Sequence, residues 1–263
     1  MKKENILISV LLIIICLLIF SSCNQRPSPQ EVAQFMLDIK NCNFDAVEKT
    51  IKKNKRILNI GYQIFGESTM YPIYMAIESK NADMVKLIAK PSTVNILLKS
   101  DKYIWSPLTF ALNTNSKIIE ILIENGTNVD YVDELNMTNI YHEFCCFRKI
   151  DIWEVIKEYA TSISLNMEDN DGTTPLVWLI VEQINSDNLN DPDVIYLLKS
   201  FIEYGGNPNY LIYDKDYAFA VIDYLNSSDY FEYKQVLLDG MKNSPPIEDS
   251  EILIEMLEGK NKE

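Results

Sequence analysis

A single histidine, His142, occurs in the 263 residues of this chain. General acid and base work would therefore fall mainly to Glu, Asp, Lys or Tyr, and no set of histidines is available to close a metal site. The short motifs of common catalytic sites are also missing. There is no Gly-x-Ser-x-Gly elbow, no Gly-rich phosphate loop and no His-Glu-x-x-His helix. Positive charge is scarce: 24 Lys and Arg stand against 38 Asp and Glu, a net charge of −14. A field of that sign repels anionic lipid and nucleic acid, whose phosphates are bound by clustered Lys and Arg. One long apolar run occurs, Ile6 to Phe20, and its fifteen residues fall short of the ~20 that a membrane-spanning helix needs.

That run follows Lys2 and Lys3 and ends in Ser21-Ser22-Cys23, after which Asn24 to Pro29 is polar and contains proline. The order of charge, short apolar stretch and small residues predicts a signal peptide over residues 1–22. Small residues before a Cys resemble the lipobox of bacterial lipoproteins, which implies acylation of Cys23, a flexible tether over residues 23–29 and export to a bacterial membrane, on its periplasmic or cell-surface side. Phe20 stands where an aliphatic residue is usual, so ordinary cleavage and an uncleaved anchor are the alternatives. Removing Lys2, Lys3 and Glu4, together +1, takes the mature chain from −14 to −15. Acidity of this size keeps an exported protein soluble.

From residue 30 onward the dominant signal is a repeat. Asn166-Met167-Glu168-Asp169-Asn170-Asp171-Gly172-Thr173-Thr174-Pro175-Leu176 fills every fixed position of N-x-x-D-x-D-G-x-T-P-L. Gly172 permits the positive φ of a tight hairpin, Thr174 is placed to cap a helix, and Pro175 fits a first helical position whose amide lacks an intrahelical partner. Related openings are Tyr71-Pro72-Ile73-Tyr74-Met75-Ala76 and Ser106-Pro107-Leu108-Thr109-Phe110-Ala111, with prolines 35 apart; Asn139 follows Pro107 by 32 and Pro175 follows Asn139 by 36. Helix endings recur too, at Asn125-Gly126-Thr127-Asn128 and Tyr204-Gly205-Gly206-Asn207, where glycine suits the residue after a helix. The chain resembles the ankyrin-repeat family, whose period is about 33 residues. The resemblance implies an all-α solenoid of about five to six helix-turn-helix units with projecting hairpin loops, filling residues 30–263 with degenerate terminal units. The family's paired alanines become Glu143-Phe144 and Leu179-Ile180, which predicts wider helix packing there. Gln183 to Pro192 reads as an inserted loop within the fifth unit.

Cys42, Cys145 and Cys146 remain once Cys16 leaves with the signal and Cys23 carries lipid, an odd set that suits no disulfide framework. With His142 the adjacent pair supplies three soft ligands, yet no second Cys-x-x-Cys or His pair completes a tetrahedral zinc site. Glu168 to Asp171 is not a calcium loop, because with Gly172 at the sixth position the first and twelfth fall on Met167 and Trp178 rather than carboxylates. No cofactor and no metal is expected.

The family's usual contact surface is the concave face made by hairpins and first helices. Projecting the register places Tyr103, Trp105, Tyr131, Asp133, Glu134, Asn170, Thr173 and Tyr213 at or beside hairpin tips. Aromatics there supply binding energy, and the carboxylates favour a partner rich in Lys or Arg. The expected function is a membrane-tethered module, present as a single copy, that binds a protein partner; neutralising a secreted or delivered protein is one such role. The alternative is an enzyme or a metal or redox protein using His142, Cys145 and Cys146. Mass spectrometry of the mature N-terminus is expected to find an acylated Cys23, and a free amino terminus at another residue would refute the lipoprotein reading.

Overall fold

The computed structural model describes residues 26–63, 69–186, 188–213, 215–227 and 229–259; residues 1–22, expected to be a signal peptide, and Cys23 lie outside the described residues. Prolines open five of the helices. They stand at the first position of α1 (Pro29–Lys40), α3 (Pro72–Glu78), α5 (Pro107–Phe110), α10 (Pro175–Asn185) and α11 (Pro192–Glu203). A fixed φ suits that site and its missing amide costs nothing. In α1 Ser28 completes a capping box: the Glu31 amide donates to Ser28 Oγ at 3.2 Å and the Ser28 amide to Glu31 Oε2 at 2.9 Å. Residues 28 and 29 therefore belong to the first unit.

The remaining helices complete the pairs. They are α2 (Phe44–Lys53), α4 (Ala82–Ile88), α6 (Ser116–Glu124), α7 (Ile140–Phe147), α8 (Ile150–Ile156), the single turn α9 (Ser162–Leu165), α12 (Lys215–Ser227), α13 (Phe231–Asn243) and α14 (Ser250–Leu257). Six pairs follow one another, α1/α2, α3/α4, α5/α6, α7/α8, α10/α11 and α12/α13, with α14 closing the array. First helices pack on first helices from α1 to α10, and second helices pack along α4, α6 and α8. Three short antiparallel hairpins project between pairs: β1–β2 (Tyr62–Gln63 with Thr69–Met70), β3–β4 (Leu98–Lys99 with Ile104–Trp105) and β5–β6 (Val132–Asp133 with Thr138–Asn139). The turn before α10 closes without strands, through Asp169 and Thr173.

Glycine ends the helices as the sequence predicts. At the end of α6, Gly126 has φ +84° and donates to the Ile123 carbonyl, while Thr127 donates to that of Leu122. At the end of α11, Gly205 at φ +105° and Gly206 repeat the pattern on Ile202 and Phe201. Two such bonds satisfy carbonyls that the helix leaves open. Each turn is then fastened to the preceding unit by an asparagine. Asn95 Nδ2 donates to the Gly126 carbonyl at 2.9 Å and its Oδ1 accepts from the Asn128 amide at 2.8 Å. Asn166 does the same with the Gly205 carbonyl and the Asn207 amide, at 2.8 and 2.7 Å.

Three local departures have physical causes. Where other units carry proline, Asn139 is a cap, its Oδ1 accepting from the Tyr141 and His142 amides, so α7 starts one residue later in the register. The larger side chains of this region fill the helix interface: Trp153 stacks on Phe201 at 4.2 Å between centroids and Phe144 packs on both. The insertion is shorter than expected, because α10 runs on to Asn185. Gln183 lies inside the helix, buried, and joins the Val194 carbonyl to the Tyr233 hydroxyl. Thr174 occupies the cap position of α10, but its side chain makes no capping bond and its hydroxyl is buried without a partner. The Asp169 carboxylate holds this turn instead.

These two sites should respond in opposite directions. Asn166→Ala strands a carbonyl and an amide and is expected to cost about 1–3 kcal/mol, whereas Thr174→Val removes an orphaned hydroxyl and should be neutral or stabilising by about 1 kcal/mol. Urea unfolding of both variants checks the pair, and a destabilising Thr174→Val would show that its hydroxyl is satisfied.

Candidate interaction face

The hairpin residues that the register singled out divide into two groups, and most serve the stacking of hairpin on hairpin. Asp133 is a correction. It is buried, with 4 % of its surface exposed, and its carboxylate accepts from the Ile104 amide of the preceding hairpin, from the Leu135 amide and from Asn136 Nδ2. A carboxylate so engaged is no rim charge for a partner. Tyr131 donates its hydroxyl to the Ile104 carbonyl at 2.9 Å, and burial, then repulsion from Asp133 and Glu134, pushes the phenol up to about 12. Asn170 is exposed, yet its Nδ2 donates to the Leu135 carbonyl at 2.6 Å. Glu134 is exposed at the tip of β5–β6 beside Leu135 and Met137, two exposed apolar residues that the register did not select. The side chain of Tyr213 lies outside the described residues.

Trp105 and Thr173 do reach openings on the inner face, the face formed by hairpins and first helices. Tyr103 stacks on the Trp105 indole with centroids 4.1 Å apart and planes 13° from parallel, and Phe110 of α5 tilts against the same indole at 5.7 Å. Phe110 is braced from behind by Tyr74, edge-on at 5.2 Å. Tyr74 in turn fixes the hairpin: its hydroxyl lies 2.7 Å from the carbonyls of Ile96 and Trp105 and accepts from the Leu98 amide. Trp105, Phe110, Phe147, Glu78, Glu143 and Lys80 line an opening of about 180 Å³ over the second to fourth units.

A larger opening of about 370 Å³ lies over the fifth and sixth units, between Val177, Trp178 and Val181 of α10 on one side and Tyr210 and Tyr217 on the other, with Glu182 and Thr173 at its edge. Asp169 positions it. One carboxylate oxygen accepts from the amides of Asp171 and Thr173, the other from the Trp178 indole N–H at 2.9 Å. Phe110 and Trp178 occupy the same place in the third and fifth units, three residues after the helix-opening proline. That spacing, continued to Val181 and Glu182, is the signal in the sequence from which these inner-face residues were legible.

His142, Cys145 and Cys146 do not converge. The imidazole is fully buried; Nε2 donates to the Thr173 carbonyl at 3.0 Å and Nδ1 accepts from the Asn139 amide at 3.2 Å, which defines a neutral tautomer. Its ring meets Trp178 edge-on at 5.5 Å. Cys145 is buried against the Tyr141 and Pro175 carbonyls, and burial drives its thiol well above the ordinary value. Cys146, one residue on and therefore on another side of the helix, is exposed, with its thiol pushed up to about 11 by burial of its surroundings and by nearby carboxylates. Among the described residues no group of three or more His, Cys, Asp and Glu is placed to hold a metal ion, and no helix is long and apolar enough to cross a membrane.

A family model described as ankyrin repeats, in three copies, matches residues 35–133. These are ankyrin repeats. The crystal structure of the ankyrin repeat domain of Bcl-3, described as a unique member of the IkappaB protein family, superposes with a TM-score of 0.59 at 13% identity, covering 90% of this chain and 100% of that one. The described residues form an all-α ankyrin solenoid. No curated protein sequence matches the chain.

His142 gives this face a pH dependence. Burial lowers the imidazole from 6.5 to about 4, so below 6.5 the unfolded chain binds a proton that the folded chain refuses until about 4. The stability is complete above 6.5 and lost as pH falls towards 4, by about 2 kcal/mol between pH 7.5 and 5. Urea midpoints of the native chain should fall by that increment more than those of His142→Gln, and equal losses would show that His142 carries none of it.

Proposed function

We propose that this chain is a lipid-anchored protein-interaction module that takes a protein partner on its inner face. Ankyrin repeats are generally interaction scaffolds, and the paired aromatic openings over units 2–4 and 5–6 carry the reading to this surface. Large rigid rings in partly enclosed sites are where interface energy concentrates. The hairpins support the same reading, since Asp133, Tyr131 and Asn170 bond neighbouring hairpins and leave the first-helix surface open to a partner. Cys23, after a short apolar run, supplies the tether and places the module at an exported membrane surface. The acidity of the chain suits a basic partner and favours fast, salt-sensitive encounter.

A competing surface exists on the outer side. A cleft of about 420 Å³ runs between α11 and α13, lined by Ile195, Ile202, Val236, Lys199, Glu203 and Glu232 among others. It lacks aromatic walls, which is why the inner face is preferred. A photo-crosslinking amino acid at Val181 or Phe147 of the full chain in its native membrane is expected to yield protein adducts, and one at Lys199 is not. Adducts from Lys199 alone would transfer the interface to the outer cleft. Once a partner is identified by its adduct, Trp178→Ala should weaken binding by about 1–2 kcal/mol.

A further inference from the structure

We infer that the opening over the second to fourth units receives a lysine or arginine side chain of the partner protein; this rests on the protein-binding reading of the inner face. The walls suit a cation. Trp105, Phe110 and Phe147 surround the space, and ring faces attract ammonium and guanidinium groups. Tyr103 covers one side of the Trp105 indole and Tyr74 braces Phe110, so two of the three rings are held in place before any ligand arrives. At about 180 Å³ the opening is smaller than the ~300–1,000 Å³ of sites that enclose whole small molecules, and its scale is that of a single long side chain.

Glu143 supplies the matching charge. Thr138 Oγ1 donates to its Oε1 at 3.0 Å, and no other hydrogen bond or ion pair reaches the carboxylate among the described residues. Its surroundings withdraw water, and that burial raises its proton affinity, with Asp133 adding repulsion. A half-buried carboxylate bonded once is short of partners. Glu78 lines the same space on the opposite helix, and Lys80 stands at the edge without an ion pair to either carboxylate among the described residues. A cationic side chain entering between the rings would bond the free oxygen of Glu143 while its apolar stem lies on Phe147, an arrangement that matches charge and surface together.

The test uses the full chain in detergent, labelled with 5-fluorotryptophan, whose three tryptophans report separately by fluorine NMR. Trp105 sits in the proposed pocket, Trp178 in the larger opening and Trp153 in the core. The probes are N-acetyl-arginine methylamide, N-acetyl-lysine methylamide and the neutral N-acetyl-norleucine methylamide. The two cations are expected to shift Trp105 saturably, with norleucine inert and Trp153 unmoved. Glu143→Gln should raise the apparent Kd about tenfold or more, as loss of a charge-assisted bond does, and Phe147→Ala about threefold. An unshifted Trp153 signal shows that each variant is folded. Equal response to norleucine, or Glu143→Gln without effect in a folded chain, overturns the assignment. Crosslinked adducts at Val181 with no cation response at Trp105 remove this pocket and leave the interface intact; a cation response without adducts removes a protein as the source of the cation.

Discussion

Each unit of this solenoid depends on its neighbour, and at two of the joints the grip is a side-chain amide that bonds backbone on both sides of a glycine turn. Asn95 and Asn166 each donate to the carbonyl of the glycine that ends a helix and accept from an amide two residues on. A helix pair alone cannot bury its apolar stripe, so a repeat array is stable only through its neighbour interfaces. The amide sets orientation where apolar packing alone is permissive. A left-handed glycine is needed at the turn because the asparagine reaches a carbonyl exposed by that conformation, and this couples a local backbone requirement to a contact with another unit.

The hairpins follow the same economy of polar groups. Asp133 and Asp169 lie at equivalent places, and each gathers amides of its own turn. They differ in the second oxygen. That of Asp133 accepts from the preceding hairpin, while that of Asp169 accepts from the Trp178 indole on the helix below. One unit uses the carboxylate to stack hairpins and the other to orient an aromatic wall. Two carboxylates that look available to a partner are thus internal, while Glu134 stays exposed at its hairpin tip and Glu78, Glu143 and Glu182 line the inner surface from the first helices.

The sequence revealed the scaffold where a single residue type answers a local demand. Pro72, Pro107 and Pro175 mark helix starts, and Gly126, Gly172 and Gly205 mark turns with positive φ, because no long-range information is needed to place them. It concealed what depends on distant contacts. Nothing adjacent to Asp133 reveals that an amide 29 residues earlier takes its carboxylate, and Glu143 read as an oversized replacement for a small packing residue, although it turns to the inner face instead. Thr174 has the residue type and backbone of a cap, yet its hydroxyl makes no capping bond, while Asp169 gathers the amides of the turn before it. The family match ends at residue 133, and the late-starting α7, the extra turn α9 and the extended α10, which depart from the regular period, all lie beyond it.

The extension of α10 has a consequence for how this array could change in length. Gln183 sits in the added turn and bonds both the start of α11 and, through Tyr233, the second helix of the following pair. An ordinary repeat can be duplicated or deleted as a cassette, because its contacts reach one neighbour through surfaces that all units share. Here a residue peculiar to one unit is matched by a hydroxyl peculiar to the next, buried on both sides. Loss of either of the last two pairs would leave a buried amide or phenol without its mate, and a unit inserted between them would part the two.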